Sequence, residues 1–246
     1  MTNETDVVAS PLSTTNPINL LFSLWVTPTS AFQQLKPNPR LWYPLIVVIL
    51  AQIAVTVYYS MSVDFAWMME QTLASSGRDF SPEQREAMSR MQGGMASTIS
   101  AVAGSVGIVV MFSAIFSIVA GYFTLVSSFT ADNIRFKQWF GFVCWSATPM
   151  LFAALASCVT IFLNTNGQIM QVDLNPLSFN SLIFRLPFGQ TGSTFLSSLD
   201  LTSVWGLALY VIGYQTWTGK SLAQSFLIAA MPFIAITTIV AVFIFI

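Results

Sequence analysis

Charged residues divide this chain into long apolar stretches, and the lengths of those stretches predict its elements. A membrane span needs ~20 mostly apolar residues, set by a hydrocarbon core ~30 Å thick and a helical rise of ~1.5 Å per residue. Between Arg40 and Asp64 every residue is uncharged and nearly every one apolar, which predicts a span over about 41–62. Trp42, Tyr43, Tyr58 and Tyr59 bracket it as an aromatic belt does, and Pro44 falls in its first turn, where a missing N–H costs little. No charge appears between Arg90 and Asp132, and this stretch reads as one long, tilted helix over about 97–130. A third span covers about 139–163, opening on Trp139, with Pro149 inside it to kink the helix or free a carbonyl. The last two, about 201–218 and 221–244, flank Lys220 as a helical hairpin, with Gly219 suited to the left-handed position after a helix end.

Three segments lack this signature. Residues 1–17 are polar and acidic, without the basic start and apolar run of a cleavable leader, and read as a disordered cytoplasmic tail. Residues 18–35 are interrupted by Thr27-Pro28 and predict two short interfacial helices, the second burying Ala31, Phe32 and Leu35, with Thr27 as N-cap. Residues 164–199 turn polar and glycine-bearing, which suggests a partly ordered loop on the membrane surface. In the segment before the second span, Ser81-Pro82-Glu83-Gln84 marks a helix start. The fold class that follows is an all-α membrane protein of five transmembrane helices preceded by short interfacial helices, with residues 18–246 as one membrane domain.

Composition agrees with that reading. Charged residues are 8% of the chain and hydrophobic ones 54%, where a soluble domain carries ~25% charge. A net charge of −1 leaves no basic face for nucleic acid. There is no histidine, hence no imidazole base or ligand. Cys144 and Cys158 stand ~21 Å apart on one helix and cannot pair within it. A cluster of methionines around residues 61–95 reads as adaptable packing rather than a cuprous site. No catalytic constellation, cofactor or metal follows from these residues.

Small residues recur at fourfold spacing on the long helix: Ala96, Ser100, Gly104, then Ser113, Ser117, Gly121. Such ridges let helix backbones approach closely in lipid, so Gly104, Ser117, Gly121 and the kink at Pro149 are the expected packing positions. Lys36, Arg40, Arg135, Lys137 and Lys220 all lie close to span ends on what would be one side, which places the N-terminus in the cytoplasm and the C-terminus outside. On that inner face Trp25, Phe32, Asn133, Arg135 and Lys137 are candidate contacts to a partner or to headgroups.

The order of these pieces resembles the Yip1 family of membrane proteins. The resemblance rests on Thr27 through Leu35 before the membrane, Pro37, Pro39 and Leu41-Trp42-Tyr43-Pro44-Leu45, then Phe136-Lys137-Gln138-Trp139-Phe140-Gly141, Pro149, Trp205 through Gly213, Gly219 through Ser225 and Pro232. It implies five spans and no enzymatic activity. Eukaryotic relatives bind prenylated Rab GTPases in Golgi and endoplasmic reticulum traffic. The short tail points to a bacterial member in the inner (cytoplasmic) membrane, and some of these resemble accessory components of ABC-type export systems. The expected function is therefore a non-enzymatic accessory or scaffold protein of a membrane complex, with lipids and a membrane protein such as an ABC-type transporter component as partners. The alternative is a small uncoupled transporter or lipid-handling protein. Ion-coupled transport is disfavoured because no Asp, Glu, Lys or Arg falls in a span centre.

Overall fold

The computed structural model describes residues 16–77, 81, 83–84 and 94–245. Residues 1–15 of the expected tail and the stretch around Met88 and Met91 lie outside the described residues, while the tail's last two, Asn16 and Pro17, begin the first helix instead because they cap and open it. Among those described there is no strand, only an isolated antiparallel bridge between Ser178 and Asp200. The chain is an all-α membrane protein.

Two short helices come first, α1 (Pro17–Val26) and α2 (Pro28–Leu35). Asn16 starts α1, its side-chain oxygen accepting from Ile18 N at 3.0 Å with Pro17 at the first position. Thr27 occupies the cap position of α2 as expected, but its side chain does not cap. Its hydroxyl instead donates backwards to Ser23 O at 3.2 Å. The buried face of α2 is Ala31, Phe32 and Leu35, as the pattern predicted.

The membrane body follows: α3 (Trp42–Ser62), α4 (Phe65–Ser75), α5 (Gly94–Thr130), α6 (Phe136–Ser146), α7 (Met150–Leu163), α8 (Ser193–Ser198), α9 (Leu201–Thr218) and α10 (Leu222–Phe245). At residues 81–84 the expected helix start shows as a reciprocal cap. Gln84 N donates to Ser81 Oγ at 3.2 Å, and Ser81 N donates to Gln84 Oε1 at 2.9 Å.

Among the described residues four helices are long and apolar enough to cross a membrane: Trp42–Ser62, Ala96–Thr130, Phe136–Leu163 and Leu222–Ile244. The third runs through a break at Ala147-Thr148-Pro149. Pro149 has no N–H to give the Trp145 carbonyl, which instead accepts from Thr148 N at 3.1 Å and Thr148 Oγ1 at 2.8 Å. The fifth expected span is present as α9 but is more polar than the other four. The reason is its position: α2, α6, α7 and α10 pack around it. Gly206, Leu209, Gly213, Tyr214 and Trp217 are buried on it. A helix shielded by protein needs less apolar surface than one bathed in lipid.

The core is aromatic. Phe123 of α5 and Trp139 of α6 stack at 5.0 Å and 21°, and Trp139 stacks on Tyr214 of α9 at 5.6 Å and 19°. Phe32, Phe142, Tyr210 and Trp217 close the cluster. It forms because Gly213 lets the Phe32 and Phe142 rings lie on the α9 backbone, where any Cβ would collide with them.

The expected small-residue ridge on α5 divides in two. Its first half packs on α3: Gly104 lies under Thr56, and Ser60 Oγ meets Ser100 Oγ at 3.4 Å. Its second half has no such close neighbour among the described residues. Ser117 is exposed and back-bonds to Ser113 O at 2.7 Å, and a Cβ at Gly121 would meet nothing within 4 Å. Here α5 buries Phe112, Phe116, Val119 and Phe123 around Ala120, so mostly bulky residues outside the fourfold ridge make the contact.

Residues 164–199 fold more tightly than their composition suggested. A 3-10 turn (Gln171–Asp173), a π turn (Asn180–Phe184) and α8 enclose Asn180, which is 1% exposed. Its side chain bonds Leu186 on both sides, accepting from N at 2.9 Å and donating to O at 3.1 Å.

Candidate functional site

One end of the bundle gathers α2, the α5–α6 loop and the α9–α10 turn. Lys36 Nζ donates to Trp217 O at 2.6 Å, and Trp217 Nε1 donates to Phe32 O at 2.8 Å. Gln138 Nε2 donates to Lys36 O at 3.0 Å. Lys220 pairs with both oxygens of Asp132 at 2.7 Å, tying the hairpin turn to the α5–α6 loop, and Thr130 also donates to Asp132. Gly219 takes the left-handed conformation expected of it, φ +71°.

The α5–α6 loop is held by its backbone and by one apolar side chain. Ala131 and Asn133 both have positive φ, 56° and 54°, which reverses the chain within four residues. Ile134 is buried beneath it. Arg135 N donates to Gln138 Oε1 at 3.0 Å and starts α6. The Asn133 side chain donates to Ala131 O at 3.3 Å. Asn133, Arg135 and Lys137 are exposed, with Phe136 at 46% and Phe129 at 89% exposed beside them. A polar cleft of about 460 Å³ runs along the loop from Ser127 to Arg135.

Of the predicted contact residues, the structure brings together Asn133, Arg135 and Lys137. It places the two aromatics elsewhere. Phe32 is fully buried in the aromatic core, because α2 turns its apolar face onto α9. Trp25 is half-buried, its ring 4.6 Å from Phe152 and its indole donating to Thr148 Oγ1 at 3.2 Å. Thr148 lies twelve residues into the third span, ~18 Å along its axis from the loop, so Trp25 is not part of this face. Phe136 belongs to the expected docking loop itself, whereas Phe129, at the end of α5, was not among the expected contacts. The signal available for Phe129 was its position at the helix end that runs into a charged loop.

The two cysteines are free, Cys144 buried and Cys158 half-buried, on separate helices. Among the described residues no group of three or more His, Cys, Asp or Glu side chains gathers as metal ligands would.

The Yip1 domain family model matches residues 22–244. The chain belongs to the Yip1 family. It is 23% identical over 215 residues to the membrane protein YknW of Bacillus subtilis (strain 168), covering 87% of this chain and 84% of the relative. No solved structure matches. The Yip1 match takes in α2 through nearly all of α10, so the aromatic core and the loop end both belong to the Yip1 domain rather than to an addition outside it.

Proposed function

We propose that this Yip1 protein is a non-enzymatic accessory or scaffold protein of a membrane complex, associated with an ABC-type export or membrane-trafficking system. The observation that carries the proposal is the α5–α6 loop. It exposes Asn133, Arg135, Phe136 and Lys137 on a backbone fixed by Ile134, Gln138 and the Lys220–Asp132 pair. A pre-organised patch that combines aromatic and guanidinium groups suits an interface anchor, since little ordering entropy is lost on binding. The spans themselves carry no Asp, Glu, Lys or Arg between their ends, which favours binding over proton-coupled chemistry.

In this reading the loop end is cytoplasmic, and the five helices α3, α5, α6–α7, α9 and α10 all span the bacterial inner membrane. Affinity purification in mild detergent with mass spectrometry tests the role. Arg135→Ala together with Lys137→Ala leaves membrane insertion and thermal stability unchanged and abolishes co-purification of the partner. Retention of the partner, or loss of insertion instead, makes the two cations headgroup anchors and sinks the docking role.

A further inference from the structure

At the end of the bundle opposite the α5–α6 loop, the π turn (Asn180–Phe184) finishes in an apolar tip. Leu182, Ile183 and Phe184 are 44%, 66% and 53% exposed, and Arg185 directly after them is exposed as well. Large apolar side chains on a water-facing loop normally occur singly, and a run of three marks a contact with something apolar.

The tip is rigid. Asn180 is buried at its root and holds Leu186 through both its N and its O. Arg185 N donates to Asn180 O at 2.6 Å, with Arg185 in the left-handed region at φ +52°, where L side chains rarely sit. Ser181 N donates to Ser178 Oγ at 3.1 Å, and Ser181 Oγ donates to Asn175 O at 3.0 Å. The apolar side chains are therefore displayed in one arrangement, with little ordering entropy left to lose on contact.

The height of the tip says what covers it. Segment 164–199 follows directly on α7, and Tyr59 Oη and Asp64 N bond its Ile169 and Gly167 carbonyls at the far end of α3. At its other end Leu201 N donates to Leu177 O at 3.2 Å and Phe179 N donates to Leu199 O at 2.8 Å, which sets the root of the tip level with the first turn of α9. Asp64 and Asp200 stand at that level, and carboxylates mark where hydrocarbon ends. Residues 182–184 lie four to six positions beyond Ser178, ~6–9 Å along a helix axis. A headgroup layer is ~5–8 Å thick, so the tip stays beside lipid whichever way the turn leans. Charge agrees with this. Arg185 pairs with no carboxylate among the described residues, and a guanidinium fork matches phosphate oxygens.

We propose that residues 182–184 insert into the acyl boundary of the leaflet at this end, with Arg185 on the lipid phosphates. The insertion anchors segment 164–199 to the bilayer. It rests on the far ends of α3 and α7 lying at the membrane surface, and not on the α5–α6 loop or any partner there.

The test uses the full chain in nanodiscs of phosphatidylethanolamine and phosphatidylglycerol, with no other protein present. Cys144 is buried, so Cys158→Ala leaves no reactive thiol, and Ile183→Cys then carries a nitroxide. Collision with oxygen and with a water-soluble nickel chelate reads its depth. A second label at Val159→Cys, exposed in the α7 span, gives the hydrocarbon value. The Ile183 label reads ~5–10 Å below the phosphates. Arg185→Glu lowers its inserted fraction about 5-fold or more, the worth of one cation at an anionic surface, and Arg185→Lys retains it. An Ile183 label that stays in water in pure lipid leaves the tip to a protein partner and overturns the proposal. So does an Arg185→Glu variant that keeps the depth.

Discussion

A Cβ at position 213 would collide with the Phe142 ring and lie 2.7 Å from Phe32 Cζ, whereas a Cβ at 121 would meet nothing within 4 Å. The same substitution therefore has opposite consequences on two helices. Gly213→Ala forces rings out of a packed cluster and lowers stability by about 1–3 kcal/mol. Gly121→Ala is neutral or stabilises by up to about 1 kcal/mol, since it only removes backbone freedom. Thermal or denaturant unfolding in detergent, compared with the unchanged chain, checks both signs. Gly104 falls between them, because the atom in the way is the Thr56 methyl, which can rotate. Spacing could not have separated Gly104 from Gly121. Both sit in the same fourfold pattern, and what differs is the neighbour, which a single chain's periodicity does not encode. Phe32 was misjudged for a related reason. The pattern correctly put it on the buried face of α2, but nothing local said that this face would meet α9 rather than a membrane surface or a partner.

Helices with an interior proline show how the elements compensate one another. Pro232 lies inside α10 and leaves the Ile228 carbonyl without its helical donor. Tyr122 of α5 supplies one, its hydroxyl donating to Ile228 O at 2.9 Å. Tyr122→Phe thus orphans a carbonyl in an apolar setting and costs about 1–2 kcal/mol. In Pro232→Ala the helix satisfies its own carbonyl, so Tyr122→Phe then costs much less. A coupling of about 1 kcal/mol in the four-variant cycle supports the assignment, and additive effects refute it. The break at Pro149 and the helices α3, α9 and α10 were legible from the chain, since prolines and charge gaps are local signals. The 164–199 segment was not. Its order comes from Asn180, Ser178 and Asp200 bonding across short turns. No periodic pattern announces such a structure, because each piece is shorter than the period that would reveal it.

At the scale of the whole molecule, the bundle sorts its charge by end. Lys36 and Lys220 are tied into one end through the Trp217, Gln138 and Asp132 contacts, and Arg135 and Lys137 are exposed on the loop there. The far end is tied together by Asp64 N donating to Gly167 O at 2.9 Å, by Tyr59 Oη donating to Ile169 O at 3.1 Å, and by the Asp200 network. Successive helices α3, α5, α6–α7, α9 and α10 run between these two ends in alternating directions, an odd number of passes along the bundle. If all five cross the bilayer, the loop 131–138 and the C-terminus face opposite sides. Lys and Arg in short segments near span ends tend to stay on the cytoplasmic side, and on that ground we predict a cytoplasmic Lys36–Lys220 end and, with five crossings, an external Ile246. A reporter active only in the cytoplasm is therefore active when inserted at 131–138 and silent after Ile246, and a reporter active only after export behaves in reverse. Activity on the same side at both positions would mean that α9, the most polar of the five, enters the membrane without crossing it. The opposite pair of results would keep the five crossings and invert the molecule, with the cation-rich face outside and no cytoplasmic surface at Arg135 and Lys137 for a partner to use.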